Sequence, residues 1–285
     1  MKLATALQLG RISNLPTVWS NVLVGALLAG GVLGDLRIPL LMLSLSAFYI
    51  GGMFLNDAFD RAFDAKHRPE RPIPSGQATA AEVFVWGYGL MAAGGVGVGV
   101  AGAWHWRALV SAAALAAAIV LYNAHHKGNP LSPLVMGLCR VCVVTTAGFC
   151  LAPVLPAAVL LAAAALLCHL IGLTYIAKQE HLERVGSLWP LAFLALPVAY
   201  GAVLASAVPL VWPLLALYFG VLIFALSRLR RRGPGDVPRA VVTLIAGMSV
   251  LDAVLLAGGG QTMGAVLAVI AFVLTLRLQR WVSGT

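Results

Sequence analysis

Charge is scarce in this sequence, and acidic charge is scarcest. Ten of the 285 residues are Asp or Glu, against nineteen Lys and Arg; charged residues are 10% of the chain and hydrophobic ones 61%. Apolar runs of about 20 residues recur along its length, and each reads as a membrane-spanning helix, because the bilayer core needs roughly that many residues at 1.5 Å each. A soluble domain of this size has no use for so many. Cysteine is scarce too. Cys139, Cys142, Cys150 and Cys168 all fall inside apolar runs, which excludes a disulfide framework. The CxxC of Cys139 and Cys142 lacks the second ligand pair of a zinc site. Linkers and low-complexity stretches are missing, so residues 1–285 are expected to form a single domain. No small-residue cleavage site follows the first apolar run, which is read as a retained span and not a leader.

Candidate spans lie near 13–33, 38–56, 79–103, 107–124, 132–151, 154–177, 187–206, 209–228, 239–257 and 262–281. The fold class is therefore an all-α membrane bundle of nine to ten helices. Lys and Arg gather on the cytoplasmic side of membrane proteins. With the N-terminus placed inside, sixteen of the nineteen fall on that side, Arg37 and Arg107 fall on the other, and Arg140 lies within a span. A wrong span count scrambles such a bias, so the asymmetry supports ten crossings with both termini and the Asp-rich loops cytoplasmic. It also accounts for the net charge of +9 without nucleic acid as a partner.

Against this background residues 55–76, LNDAFDRAFDAKHRPERPIPSG, crowd three aspartates and several cations into one short segment. If the second span continues as a helix through Asp64, then Asn56, Asp57, Asp60 and Asp64 fall on one arc about 100° wide. Like charges on one face repel. A divalent cation removes the repulsion, and hard oxygen ligands of this type suit Mg²⁺ completed by water and substrate phosphate. Lys66, Arg68 and Arg71 follow at once as candidates for phosphate oxygens, and Pro69, Pro72, Pro74 and Gly76 stop the helix and fix the loop. A solvated loop with incidental ion pairs does not explain three carboxylates and an amide on one arc. Metal ligands, phosphate-binding cations and a membrane cavity point to a phosphorylated lipid substrate.

These residues resemble the UbiA family of intramembrane prenyltransferases. Asn56-Asp57-Ala58-Phe59-Asp60-Arg61-Ala62-Phe63-Asp64 has the family's NDxxDxxxD form, and Arg68-Pro69-Glu70-Arg71-Pro72-Ile73-Pro74-Ser75-Gly76 is similar to its RxxRPxxxG continuation. The CDP-alcohol phosphotransferases also cluster aspartates, but their Gly after the second Asp and their further spaced aspartates are absent here. The resemblance implies Mg²⁺-dependent transfer of a prenyl group from an isoprenyl diphosphate to a hydrophobic or aromatic acceptor, in a helical bundle around a central cavity open to membrane lipid. It implies Asp60 and Asp64 as catalytic, Asn56, Asp57, Asp60 and Asp64 as metal ligands, and Asn14 as a pocket residue. The family's second acidic motif, a DxxxD after a tyrosine, matches Tyr175 to Glu183. Tyr175 is kept, Gln179 replaces the first aspartate, Glu183 stands for the second, and Glu180 adds a carboxylate. Gln179 weakens that end for metal, and leaves open a carrier of prenyl lipid or metabolite built on the same scaffold.

Other polar residues stand where membranes penalise them. Arg140, near mid-span at a cost of about 3 kcal/mol, must face the interior, toward a diphosphate, an acceptor carboxylate or backbone carbonyls. Lys127 and Lys178 end their spans on the cytoplasmic side as further diphosphate candidates. His169 is read as an acceptor-binding group or a satisfied core histidine. No role is evident for Asp252. The run Gly94-Gly95-Val96-Gly97-Val98-Gly99 lacks the strand of a nucleotide fingerprint and is read as close helix packing. Fifteen arginines against four lysines suggest a GC-rich bacterial source, and with it an integral protein of the plasma membrane.

Overall fold

The computed structural model describes residues 1–178, 189–231 and 233–282. Among them the chain is helical throughout: α1 (Leu3–Leu9), α2 (Leu15–Leu28), α3 (Arg37–His67), α4 (Ala80–Ala101), α5 (Trp106–His125), α6 (Ser132–Leu151), α7 (Ala157–Lys178), α8 (Ala195–Ala207), α9 (Val211–Arg231), α10 (Asp236–Gly258) and α11 (Thr262–Leu278). Short 3-10 turns at Ile12–Asn14 and Trp189–Leu194 lead into α2 and α8. Seven of these helices are long and apolar enough to cross a bilayer, and three shorter apolar segments, Ile12–Leu28, Leu191–Ala207 and Thr262–Leu278, accompany them. The ten coincide with the ten expected spans. The protein is an integral membrane bundle.

Local sequence sets the boundaries. Pro16 and Pro133 stand in the first turns of α2 and α6, where a missing N–H costs nothing. Thr79 caps α4 by accepting the Glu82 N–H at 3.2 Å. Past α3 the prolines end the helix, and Gly76, at φ +75°, turns the chain back toward α4. At the opposite end of the bundle Arg37 pairs with Asp35 at 2.5 Å and donates to the Cys150 carbonyl. Its hydrogen bonds hold the Asp35 carboxyl below the usual carboxylate range.

Two apolar cores meet at α2. One joins α2, α3, α4, α5 and α6 around Leu45, Phe48, Leu115 and Val143. The other joins α2 with α6, α7, α9, α10 and α11 around Leu166, Tyr218, Leu251 and Val254. Glycines allow the helices to close. A Cβ on Gly51 would lie 2.6 Å from the Gly87 carbonyl oxygen, and one on Gly94 equally near that of Ser44, so α3 and α4 touch backbone to backbone. This is the packing expected of the glycine run. An apolar groove of about 730 Å³, lined by Phe48, Tyr88, Met91, Trp104, Leu109 and Val120, opens between α3, α4 and α5; it lies apart from the aspartates. His169 is a satisfied core histidine. Its ring nitrogens meet the Tyr218 hydroxyl at 2.8 Å and the Leu244 carbonyl at 2.9 Å.

α3 positions the site. At 31 residues it is about 46 Å long, beyond the roughly 30 Å of hydrocarbon. Its last turns, with the aspartates, therefore rise past the apolar layer.

Candidate active site

The helix runs unbroken through Asn56, Asp57, Asp60 and Asp64, as the one-arc geometry requires. Asn56, Asp57 and Asp64 are buried. Each of the first three meets partners from other elements. Asn56 donates from Nδ2 to Asn123 Oδ1 of α5 at 3.1 Å, and Asn123 in turn donates to the Gly52 carbonyl at 3.0 Å. This leaves Asn56 Oδ1 facing Arg11, whose Nη2 donates to it at 3.2 Å. Asp57 Oδ1 accepts from Arg71 at 2.9 Å and from Arg11 at 3.4 Å. Asp60 lies 2.8 Å from Lys127 Nζ and 3.5 Å from His126 Nε2, and the same ammonium sits 3.6 Å from the centre of the Phe63 ring. Asp64, 3% exposed, makes no ion pair among the described residues.

Asp57 and Asp60 are thus turned toward separate bases. Among the described residues no three His, Cys, Asp or Glu side chains converge on one point. A shared arc gives hard oxygen donors on one face, with Asp57 and Asp60 each beside its own counter-charge. Arg11 has a left-handed backbone, at φ 43° and ψ 48°, a conformation costing a non-glycine residue about 1–2 kcal/mol, and its guanidinium bridges Asn56 and Asp57.

The structure brings Arg71 and Lys127 to the aspartates but not Lys66. Lys66 is ten residues beyond Asn56 on the same helix, so it points about 130° from the centre of the arc and is exposed. Arg68 is half-buried just past the helix end. Arg140 is not at the aspartates either. It donates to Asn21 Oδ1 and Thr17 Oγ1, each at 3.0 Å, with its guanidinium 5.5 Å from the Tyr49 ring centre. Asn14 donates to the Tyr49 hydroxyl at 3.2 Å and accepts from Gln279 at 2.7 Å. Tyr175 is half-buried near the end of α7. Gln179, Glu180 and Glu183, with the side chain of Lys178, lie outside the described residues.

Sequence reasoning passed over Arg11, Tyr49, Asn123 and His126. By sequence Arg11 is one of the sixteen cations on the cytoplasmic side. Asn123 was legible in principle, as a lone amide near the end of an apolar helix. Arg11 and His126 gave no such signal, since nothing local marks a loop cation as facing inward.

The sequence model of the UbiA prenyltransferase family matches residues 18–235. A digeranylgeranylglyceryl phosphate synthase of Methanothrix thermoacetophila is 33% identical over 135 residues, 45% of this chain and 47% of that protein. Its namesake in Methanopyrus kandleri is 34% identical over 131 residues, 46% of each. The chain therefore spans about half the length of the curated relatives it matches. Among solved structures, one described as digeranylgeranylglyceryl phosphate synthase in membranes superposes with a TM-score of 0.64 at 20% identity, covering 90% of this chain and 98% of that one. A UbiA homologue from Archaeoglobus fulgidus bound to GPP and Mg²⁺ superposes at 0.59 and 14% identity, covering 88% and 99%. At these identities the structures establish the fold.

Proposed function

Since the chain belongs to the UbiA prenyltransferase family, we propose that it transfers a prenyl group from an isoprenyl diphosphate to a membrane-soluble acceptor in a Mg²⁺-dependent reaction. The observation carrying this reading is the buried file of Asn56, Asp57 and Asp64, with Asp60 beside them, on a helix end ringed by Arg11, Arg71 and Lys127. Asn56, Asp57, Asp60 and Asp64 fit Mg²⁺ as a donor set of hard oxygens, and Glu183 would join them from the second motif. The bound metal would neutralise charge on the departing diphosphate. Arg11 and Arg71 meet Asp57, and Lys127 meets Asp60. Set beside the carboxylates, these three cations are placed to bind diphosphate oxygens and stabilise the charge that builds as the allylic C–O bond breaks. The apolar helices around the site exclude water from the allylic cation, so that the acceptor captures it.

The acceptor is the open choice. The relatives named above make, by their names, digeranylgeranylglyceryl phosphate, and this favours an acceptor with a glycerophosphate head over an aromatic one. Membranes containing the protein, given labelled geranylgeranyl diphosphate with either geranylgeranylglyceryl phosphate or 4-hydroxybenzoate, are expected to form product with the former in Mg²⁺ and none in EDTA. Product with 4-hydroxybenzoate alone reverses the choice of acceptor. No product with any acceptor in Mg²⁺, with prenyl diphosphate still bound, replaces the enzyme by a carrier.

The charge bias of the loops supports a cytoplasmic site with both termini inside. Ser75, exposed beyond α3, offers the test. Ser75→Cys should react with an impermeant maleimide only after the cells are opened. Labelling in intact cells inverts the topology.

A further inference from the structure

Below the aspartates lies a second polar layer with no part in the chemistry above. Tyr49 and Asn56 are seven residues apart on α3, so this layer is about 10 Å deeper in the bundle. It comprises Asn14, Thr17 and Asn21 on the first crossing segment, Tyr49 on α3 and Arg140 on α6. Arg140 is 8% exposed. Two of its five N–H donors are engaged, both by neutral oxygens. No carboxylate among the described residues lies within ion-pair distance of it. Its charge is balanced only at second hand. Asn21 accepts from Arg140 through Oδ1 and donates through Nδ2 to Asp252 Oδ2 at 2.7 Å, so the amide separates the cation from the carboxylate.

That arrangement suits a receptor better than a structural ion pair. A buried pair meant only for stability brings its charges into contact, since each unpaired donor in an apolar interior costs free energy. Here Asp252 is reached only through the Asn21 amide, while most of the guanidinium's donors remain uncommitted. Thr17, Asn21 and the face of Tyr49 fix its direction. A prenyl tail gains nothing from such a layer. A planar or tetrahedral oxyanion does, because the guanidinium fork matches carboxylate and phosphate geometry.

We propose that Arg140, held by Thr17, Asn21 and Tyr49, binds an oxyanion carried by the prenyl acceptor. The inference rests on the prenyl-transfer reading for the word acceptor, but not for the anion site itself. It also limits the acceptor's shape. With the diphosphate at the aspartates and the oxyanion about 10 Å below, the nucleophilic atom must lie between them within near-attack distance of the prenyl carbon, roughly 3–3.5 Å. The acceptor is then compact at its polar end, with nucleophile and oxyanion only a few ångströms apart. A hydroxyl beside a phosphate ester meets this, and so does an arene bearing a carboxylate.

Equilibrium binding to the purified full chain, without turnover, tests the site. Two probe pairs separate the sources of oxyanion: geranylgeranylglyceryl phosphate against its dephosphorylated alcohol, and 4-hydroxybenzoate against 4-hydroxybenzamide. The wild type is expected to bind the charged member of one pair at least tenfold more tightly. Arg140→Gln should abolish that preference while leaving geranylgeranyl diphosphate binding unchanged. If Arg140→Gln does not fold, Arg140→Lys serves instead, and should reduce the preference without erasing it. Equal binding of charged and neutral members in both pairs by the wild type overturns the proposal, as does a preference that survives Arg140→Gln or, where Lys is the variant measured, is undiminished in Arg140→Lys. Anion preference without prenyl transfer in the membrane assay leaves the site standing and removes the enzyme. Prenyl transfer with no anion preference does the reverse.

Discussion

Asp64→Asn is expected to lower prenyl transfer at least about a hundredfold, the scale of losing one preorganised electrostatic contact in a transition state. Asp64 is the cleanest of the three aspartates to change. Its carboxylate is buried yet makes no ion pair among the described residues, so the amide breaks none of the contacts that hold the loops. Asp57→Asn, by contrast, strands Arg11 and Arg71, and Asp60→Asn strands Lys127. The thermal midpoint of Asp64→Asn should therefore match the wild type while initial rates collapse and the Mg²⁺ requirement rises. A wild-type rate at ordinary Mg²⁺ concentration takes Asp64 out of the metal set. A lowered midpoint assigns its role to folding.

The largest structural effect is expected at Gly25, where α2 crosses α6. A Cβ there would lie 2.2 Å from the Val144 carbonyl oxygen and 2.9 Å from Ala147 Cβ. The first of these is backbone, which cannot swing aside as a side chain can. Overpacking a core costs about 1–3 kcal/mol where side chains yield, and a backbone clash stands at or above the top of that range. Gly25→Val should lower the thermal midpoint by on the order of 10 °C or prevent recovery of monodisperse protein. Gly89→Val is the control, because a Cβ at Gly89 meets nothing within 4 Å, and its midpoint should stay within a few degrees. Equal midpoints for the two variants mean that α2 and α6 can separate freely, which the buried bonds from Arg140 to Thr17 and Asn21 argue against.

The fold was legible because a bilayer imposes one length and one polarity on every crossing, and apolar runs state both locally. Residues 37–67 show how far this reaches: the helical spacing of Asn56, Asp57, Asp60 and Asp64 placed them on one arc, and the helix carries them so. What a period of 3.6 residues cannot state is which base each carboxylate chooses. Arg11 is 46 positions from Asp57 and reaches it only through a left-handed turn. Asn21 and Asp252 are 231 positions apart, yet their bond explains why both sit in hydrocarbon. Lys66 follows the aspartates closely in sequence, yet the helix turns it away from their arc. The second motif around Gln179 remains an expectation of the sequence.

The length of α3 has a consequence for kinetics. Because its last turns carry the aspartates beyond the hydrocarbon, an amphiphile with a diphosphate head and an isoprenoid tail can occupy the site while still aligned as it lies in a leaflet. Under the proposed function such a substrate would arrive by lateral diffusion, and its effective concentration would be its mole fraction in the membrane plane. Under the proposed reaction the rate then follows surface dilution: adding inert lipid at fixed bulk substrate slows turnover, while diluting the whole suspension leaves it nearly unchanged.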